Sequence, residues 1–304
     1  MPAGMGPAVT VVVVGDVVTD VVARYDPPLA AGSDTTARVR ILGGGSGANT
    51  AAWLAACGVP TALVGVVGTD DAGTTRLAEL AASGVCPLLR RTGAAPTGSV
   101  VVLSGAGDRT MLSERGANLL LSPEDVDAGL AVGARHLHLS GYTLLAPPAR
   151  DAGRYALAAA ARAGLTTSVD LAAAALLRRV GAAAFLSWVR GTDLLLANAD
   201  EARALVGDGP PAELAIRLAG SARHAVVKCG AAGAVWATGD GEVVEVTAVP
   251  TTVVDATGAG DAFTAGLLAS WLAGGSPVES LRAGTGTGAA AVGLVGGRPS
   301  PDRP

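Results

Sequence analysis

The residues most able to do chemistry lie in a glycine-rich segment near the carboxyl end of the chain. Gly258, Ala259 and Gly260 precede Asp261 and a strongly helical stretch, Ala262–Leu272. The first N–H groups of a helix lack partners within it and bind anions. A carboxylate beside them can accept a proton from an attacking hydroxyl. The segment therefore predicts a phosphoryl-transfer centre with Asp261 as catalytic base; the alternative is a turn whose aspartate only caps the helix.

Two other phosphate-binding patterns are absent from the sequence. The first apolar strand, Val9–Val14, is followed by Gly15-Asp16-Val17-Val18, which lacks the G-x-G-x-x-G spacing of dinucleotide-binding folds. Lys228 is followed by Cys229 and lacks the glycine spacing of a P-loop. An NAD-dependent oxidoreductase is accordingly disfavoured.

A second glycine-rich segment supports the first. Gly44–Asn49 has the sequence GGSGAN, and Asp255–Phe263 has the sequence DATGAGDAF, with Ala256 where threonine is commoner. Together and in this order they resemble the two signatures of the ribokinase-like (PfkB) carbohydrate kinases. The resemblance covers nearly the whole chain and implies ATP-dependent transfer of the γ-phosphoryl group to a hydroxymethyl group of a sugar or sugar-like substrate. Alternatives are a nucleoside kinase of the same family and a non-catalytic sugar- or nucleotide-sensing protein.

The resemblance also implies roles for individual residues. Asp261 matches the base, and Gly258, Ala259 and Gly260 match its anion hole. Substrate binding is expected of Asp16, Asp20, Gly44, Gly45, Ser46, Asn49, Ser140 and Asp261. ATP binding is expected of Asn198, Glu201, Lys228, Gly230, Gly233, Thr257, Gly258 and Gly260. The small-molecule substrate is left open between sugars and nucleosides.

The same resemblance implies binding sites for two cations. Asn198 and Glu201 are expected to help bind Mg²⁺, mainly through water, since Mg²⁺ prefers oxygen ligands and retains several waters. A monovalent cation, K⁺, is a further option at positions matched in some relatives: Asp255, Thr257, Ala291, Leu294, Gly296 and Ser300. A simple helix cap at Asn198 and Glu201, and a surface ion pair at Lys228, are the competing interpretations.

Departures from true ribokinases limit the substrate. Val18 stands where they have asparagine, Ser46 where they have lysine, and Ser140 near the place of a pocket glutamate. Because polar pocket groups discriminate strongly between substrates, ribose itself is not the first expectation. Tyr142 either reaches the pocket or packs under the lid.

The elements that must position these residues alternate between short apolar strands and helices. Strands are predicted at 62–67, 136–139, 166–169, 193–197 and 225–227, and helices at 46–57, 71–83 and 148–163. This alternation predicts an α/β fold with a mostly parallel sheet flanked by helices, and the resemblance refines it to a ribokinase-like three-layer fold. We expect a single domain, 1–304, with a small β lid formed by about 33–42 and 97–113.

Composition narrows the class of protein. The net charge is −4 and half of the residues are hydrophobic, so neither nucleic acid nor an anionic membrane is an expected partner. Three dispersed cysteines favour a reducing cytoplasm. No segment is predicted to cross a membrane. The resemblance implies a homodimer through the lid, and His136 and His138, two residues apart on a strand, are expected to be structural.

Overall fold

The central element is a nine-stranded sheet, seen in a computed structural model that describes residues 10–26, 28–105 and 108–299. Its strands are β1 (Val11–Val14), β4 (Thr61–Gly68), β5 (Cys86–Thr92), β8 (His136–Ser140), β9 (Thr166–Asp170), β10 (Thr192–Asn198), β11 (Ala222–Lys228), β12 (Ala234–Thr238) and β13 (Val243–Val246). The order is β13-β12-β11-β10-β9-β8-β1-β4-β5. Neighbours from β11 to β5 pair in parallel, and β12 and β13 add an antiparallel edge.

Helices cover both faces of this sheet. They are α1 (Ser46–Ala56), α2 (Asp71–Ala82), α3 (Pro123–Leu130), α4 (Tyr142–Leu145), α5 (Pro147–Arg162), α6 (Ala174–Val180), α7 (Ala182–Trp188), α8 (Ala199–Val206), α9 (Pro211–Ala219), α10 (Ala259–Leu272) and α11 (Pro277–Val292). Because strand side chains alternate between faces, Val12 and Val14 join one core with α5, α8 and α9. Val11 and Val13 join the other with α1 and α10. The predicted three-layer α/β architecture is confirmed.

A separate four-stranded sheet has the position expected of the lid. Its order is β3 (Ala37–Gly44), β2 (Val18–Tyr25), β6 (Gly98–Gly105), β7 (Asp108–Glu114). The pair β2–β6 is parallel and the other two pairs are antiparallel. Sequence analysis assigned neither β2 to this sheet nor β5 to the central one. Ala106 and Gly107, between β6 and β7, lie outside the described residues.

The parallel strands end at one edge of the central sheet, which is where ligands bind in open α/β folds. Gly15 and Asp16 follow β1 directly. In register, Ser140 lies beside Asp170, and Asn198 beside Lys228. Residues far apart in sequence are thereby brought to a common surface.

The two strand histidines are buried beneath that edge. Nε2 of His136 and Nδ1 of His138 each lie 2.8 Å from the Ser168 hydroxyl. Burial lowers the pKa of His136 to about 3 and that of His138 to about 4, so both rings are neutral at physiological pH. Within the described ranges, no group of three or more His, Cys, Asp or Glu side chains could hold a metal ion, and no helix has the length and apolarity to span a bilayer.

Candidate active site

Asp261 lies in the first turn of α10 and is held by two donors from α1. The Ser46 hydroxyl donates to Asp261 Oδ1 at 2.8 Å, and Asn49 Nδ2 donates to Oδ2 at 2.9 Å. Burial raises the pKa of Asp261 to about 7; the nearby Asp170 raises it further, while Asn49, Ser46 and Lys228 oppose the rise. A carboxyl that titrates near neutrality is suited to accept a proton.

The start of α10 depends on glycine. Gly258 has the left-handed φ of 73° at the N-cap, and a Cβ there would overlap Gly297. Only glycine satisfies both conditions without strain. The chain therefore turns sharply into α10, where the Ala259 N–H donates to the Ala256 carbonyl at 3.4 Å. Gly258 and Gly260 line the same cleft as Asp261, and an anion hole at this helix start stays a prediction.

A lysine faces this helix start. Lys228, at the end of β11, donates to Asp170 Oδ2 at 2.6 Å, and Thr264 donates to the same oxygen at 2.7 Å. Its Nζ lies 3.5 Å from the place a Cβ of Gly260 would take. Burial would lower the pKa of Lys228, but the carboxylates of Asp170, Glu201 and Asp261 raise it. The lysine is therefore a fixed positive charge near the start of α10, and its ion pair with Asp170 is buried rather than on the surface.

Asn198 and Glu201 form a reciprocal helix cap at the start of α8. The backbone N–H of Glu201 donates to Asn198 Oδ1 at 2.9 Å, and the backbone N–H of Asn198 donates to Glu201 Oε2 at 2.8 Å. Burial raises the pKa of Glu201 to about 7, although Lys228 opposes the rise. The cap and the predicted site are compatible, because both side chains also line the same cleft as Asp261.

Asp16 is fixed by three partners at the end of β1. Its Oδ1 accepts from the Gly47 N–H and from the Ser140 hydroxyl, each at 3.2 Å. Arg115 lies 3.5 Å from Oδ2 and stacks over the ring of Tyr142, 4.5 Å from the ring centroid. Ser140 is fully buried behind Asp16, so the structure places it as a support of Asp16 rather than on the cleft wall.

Asp20 and Gly44 meet where β2 and β3 pair. A Cβ on Gly44 would overlap the Asp20 carboxyl. Arg298 donates to the Gly44 carbonyl at 2.9 Å and lies 3.4 Å from Glu79. Burial raises the pKa of Asp20 to about 6, against the charge of Arg298. Gly44 thus makes room for Asp20 and, like Ser140, does not line the cleft.

These groups surround a cleft of about 400 Å³ between the lid and the sheet edge. Its polar lining includes Asp16, Asp20, Ser46, Asn49, Ser113, Arg115, Tyr142, Asp170, Asn198, Glu201, Lys228, Thr257 and Asp261. Val18, Val100, Val102 and Met111 cover it from the lid. Ala172, the described non-glycine residue with a positive φ (80°), also lines it.

A second cavity of about 560 Å³ adjoins the first. The two share Lys228, Gly230, Ala256 and Gly260. Gly233 and Ala259 lie in the second cavity, whereas Thr257 and Gly258 lie in the first. Its remaining wall is formed by Ala231 and by residues of the 248–253 segment, α10 and α11: Ala248, Val249, Pro250, Thr251, Val253, Phe263, Thr285, Gly288, Ala289 and Val292.

The residues matched to a monovalent cation lie around Asp255. Oδ1 of Asp255 accepts from the N–H and hydroxyl of Thr257, at 3.0 and 2.7 Å. Oδ2 accepts from the Gly296 N–H at 3.1 Å. The Ala291 carbonyl accepts from the Leu294 N–H at 2.9 Å, and Ser300 lies outside the described residues.

Comparison with known proteins decides the family. Residues 9–303 match the family described as pfkB family carbohydrate kinase. The chain belongs to the pfkB family of carbohydrate kinases. It is 32% identical to the ATP-dependent ribose-1-phosphate kinase of Halopiger xanaduensis, over 96% of this chain and 95% of that protein. It is 33% identical to a fructokinase of Klebsiella pneumoniae, over 87% and 85% of the two chains. Among solved structures, an adenosine kinase from Sinorhizobium meliloti superposes with a TM-score of 0.87 at 28% identity, covering 96% of each chain.

As a pfkB family carbohydrate kinase, the chain is a phosphotransferase that acts on an alcohol group. Sequence reasoning missed several residues at its site: Asp170, Ala172, Arg115, Arg298 and the α11 face of the second cavity. A sequence pattern could have identified the α11 face. Thr285, Gly288, Ala289 and Val292 recur at spacings of three and four, the pattern of one helix face. The others are long-range contacts without a local motif.

Proposed function

We propose that the chain transfers the γ-phosphoryl group of ATP to a hydroxymethyl group of a sugar or sugar-like substrate, with Asp261 as general base. The observation that carries this proposal is the position of Asp261, which lies in one cleft with the anion hole and Lys228. Because the two cavities share lining residues, the γ-phosphate of an ATP bound in the second cavity could reach a substrate hydroxyl in the first.

The reaction follows from this arrangement. Asp261 accepts the proton of the substrate hydroxyl as the hydroxyl oxygen forms a bond to the γ-phosphorus. The bond from that phosphorus to its bridging oxygen breaks, and ADP leaves with the electron pair. The first N–H groups of α10 and the Lys228 ammonium stabilise the charge on the transferring group.

Mg²⁺ suits this site because the buried carboxyl of Glu201, with its pKa raised to about 7, gains a counter-charge from a cation. Asn198 and Glu201 would hold the ion mainly through water. When bound, Mg²⁺ neutralises charge on the ATP phosphates. The chain's own residues orient it: the reciprocal cap fixes both side chains before the ion arrives.

We place the ATP base in the second cavity. Gly288 and Ala289 on α11 leave room for a flat ring, and Val249 and Val253 supply apolar cover from the opposite segment. The phosphates would then extend past Gly230 and Gly260, which border both cavities.

The substrate cleft favours a polyol. Asp16 and Asp20 offer carboxylate oxygens to hydroxyl groups, as expected for sugar recognition. Arg115 adds a positive charge, which suits a substrate that also carries an anionic group, such as the ribose 1-phosphate named for the Halopiger relative.

A nucleoside kinase is the second candidate. The inner lid face carries Val18, Val100, Val102 and Met111, an apolar cover suited to a planar base. The similarity to an adenosine kinase agrees with it. A non-catalytic sensor is less consistent with the presence of Asp261 and its two donors.

A ligand screen separates these candidates. Melting temperature would be measured with pentoses, hexoses, sugar phosphates and nucleosides, each with and without a non-hydrolysable ATP analogue, because a ligand that binds the folded state raises its stability. The ligands that stabilise the protein are then tested for ATP-dependent phosphorylation. The proposal fails if no sugar or nucleoside is phosphorylated.

Asp261→Asn tests the base directly. The variant should lose at least about 1,000-fold in kcat while still binding the ATP analogue. Asp193→Asn, remote from the cleft, serves as a control. Turnover by Asp261→Asn within tenfold of the parent would refute the role of Asp261.

We also propose a homodimer through the outer face of the lid. Ile41, Val21, Val101 and Leu112 form one row across its four strands, and Ile41 and Leu112 are 68% and 58% exposed. Such an apolar row favours association with a second copy. Ile41→Asp should yield a monomer in sedimentation, whereas Ile216→Asp on α9 should not.

We propose a cytoplasmic location. The substrate ATP is a cytoplasmic metabolite, and Cys57 and Cys86 are exposed free thiols, which suit a reducing compartment.

A further inference from the structure

The carboxylate of Asp255 is held by three hydrogen bonds and one ion pair. Besides Thr257 and Gly296, it is approached by Arg24 of the lid, whose Nη2 lies 3.3 Å from Oδ2. A carboxylate offers about four lone-pair sites. Two hydrogen bonds from Thr257, one from Gly296 and the ion pair with Arg24 occupy the two oxygens. A monovalent cation at Asp255 would have to displace one of these partners.

Arg24 also takes a neighbouring carbonyl. The same Nη2 donates to Val254 O at 3.2 Å. The backbone N–H groups of Val254 and Asp255 both donate to Val292 O, at 2.7 and 3.1 Å. The guanidinium thus binds a carboxylate oxygen and a carbonyl oxygen at the start of the loop that leads to Gly258. Alkali cations take the same two kinds of ligand.

The charges of Asp255 and Arg24 also argue against a bound cation. Asp255 is 8% exposed and Arg24 is 40% exposed, so the positive charge enters from the solvent side. The residues present therefore do not fit a resident K⁺.

We infer that the Arg24 guanidinium replaces a monovalent cation at Asp255 and links the lid to the loop that forms the anion hole. Arg24 is the next-to-last residue of β2, and β2 also carries Asp20 in the substrate cleft. A movement of this strand therefore acts on the Asp255 loop through a charged contact. The inference rests on the proposed function only where it concerns turnover.

The first test compares ions on the unaltered protein. Melting temperature would be measured in KCl, NaCl and tetramethylammonium chloride at equal ionic strength, the last cation being too large for the site. We expect the same value in all three salts, and crystals soaked in Tl⁺ should give no anomalous peak at Asp255. Stabilisation specific to K⁺, or a Tl⁺ peak with Arg24 displaced, would overturn the inference without bearing on phosphoryl transfer.

The second test removes the guanidinium. Arg24→Gln should lower the melting temperature in tetramethylammonium chloride, and K⁺ should restore it. Turnover of an accepted substrate should fall about tenfold and recover with K⁺ or added guanidinium ion, a size typical of coupling between sites. Arg38→Gln is the matched control, because Arg38 pairs with Arg24 across β2 and β3 and is exposed. Equal behaviour of the two variants in every salt would also overturn the inference.

Discussion

The Ser46 hydroxyl offers the cleanest perturbation of Asp261. Ser46 is the first residue of α1 and donates to Asp261 Oδ1 at 2.8 Å. Alanine at this position keeps the helix, since alanine has the highest helix propensity, and removes only the donor. Because that donor stabilises the ionised carboxylate, its loss should raise the pKa of Asp261.

The size of the change can be worked from the bond. A hydrogen bond to a charged group contributes about 1.5–3 kcal/mol, and water entering the partly exposed site returns part of it. Retaining about half corresponds to about one pKa unit. The pKa of Asp261, raised by burial to about 7, should then move to about 8 in Ser46→Ala.

The assay is the pH dependence of kcat/KM, which reports the free enzyme. A base must be ionised, so activity rises with pH, and the acid limb of the Ser46→Ala profile should be displaced upward. The variant should be about tenfold slower below pH 6.5 and should match the parent above about pH 9. Carbon-13 NMR titration of the aspartate carboxyls provides a reading that needs no substrate.

Ser187→Ala on α7 is the control, because that hydroxyl donates only to the Ala184 carbonyl and should leave the profile unchanged. A uniform loss at every pH, with the acid limb unmoved, would show that Ser46 acts on the substrate instead. It would refute the reasoning about Asp261.

Two further predictions concern the floor of the cleft. Ala172→Gly should stabilise the fold by about 0.5–1 kcal/mol in urea unfolding, because relief of the left-handed backbone strain exceeds the added entropy of the unfolded chain. The neighbouring Ala173 has φ −142°, so Ala173→Gly should destabilise the fold and serves as the control. Equal losses of stability in the two variants would show that Ala172 is not strained. Lys228→Met should abolish turnover and cost about 3–5 kcal/mol by leaving Asp170 buried without its partner. The double variant Lys228→Met/Asp170→Asn should regain stability but not activity, and restored activity would exclude Lys228 from the reaction.

The sequence was informative where structure is local. The β-branched run of β1 and the small residues before Asp261 identify a buried strand and a helix start without knowledge of the rest of the chain. Strand β5 was missed because its sequence, CPLLRRT, places a proline and two arginines in a half-exposed edge strand. Edge strands of this kind lack the apolar pattern that marks buried ones.

The remaining site residues depend on tertiary contacts. Strand β2 follows β1 after three residues. No local sequence pattern indicates that β2 belongs to the four-stranded sheet rather than to the central sheet. Arg298 reaches Gly44 across 254 positions. Such pairings are set by the packing of whole layers, so single-sequence patterns cannot supply them.

Lys228 is the only lysine of the chain, and it stands at the boundary of both cavities. Apart from the α-amino group, an amine-directed reagent therefore has Lys228 as its one target, and Lys228 lies along the proposed path of the ATP phosphates. Its raised pKa and its bond to Asp170 keep it protonated and slow to acylate. The rate of modification of this one side chain, followed by mass spectrometry, thus gives a natural footprint of nucleotide occupancy that requires no engineered label.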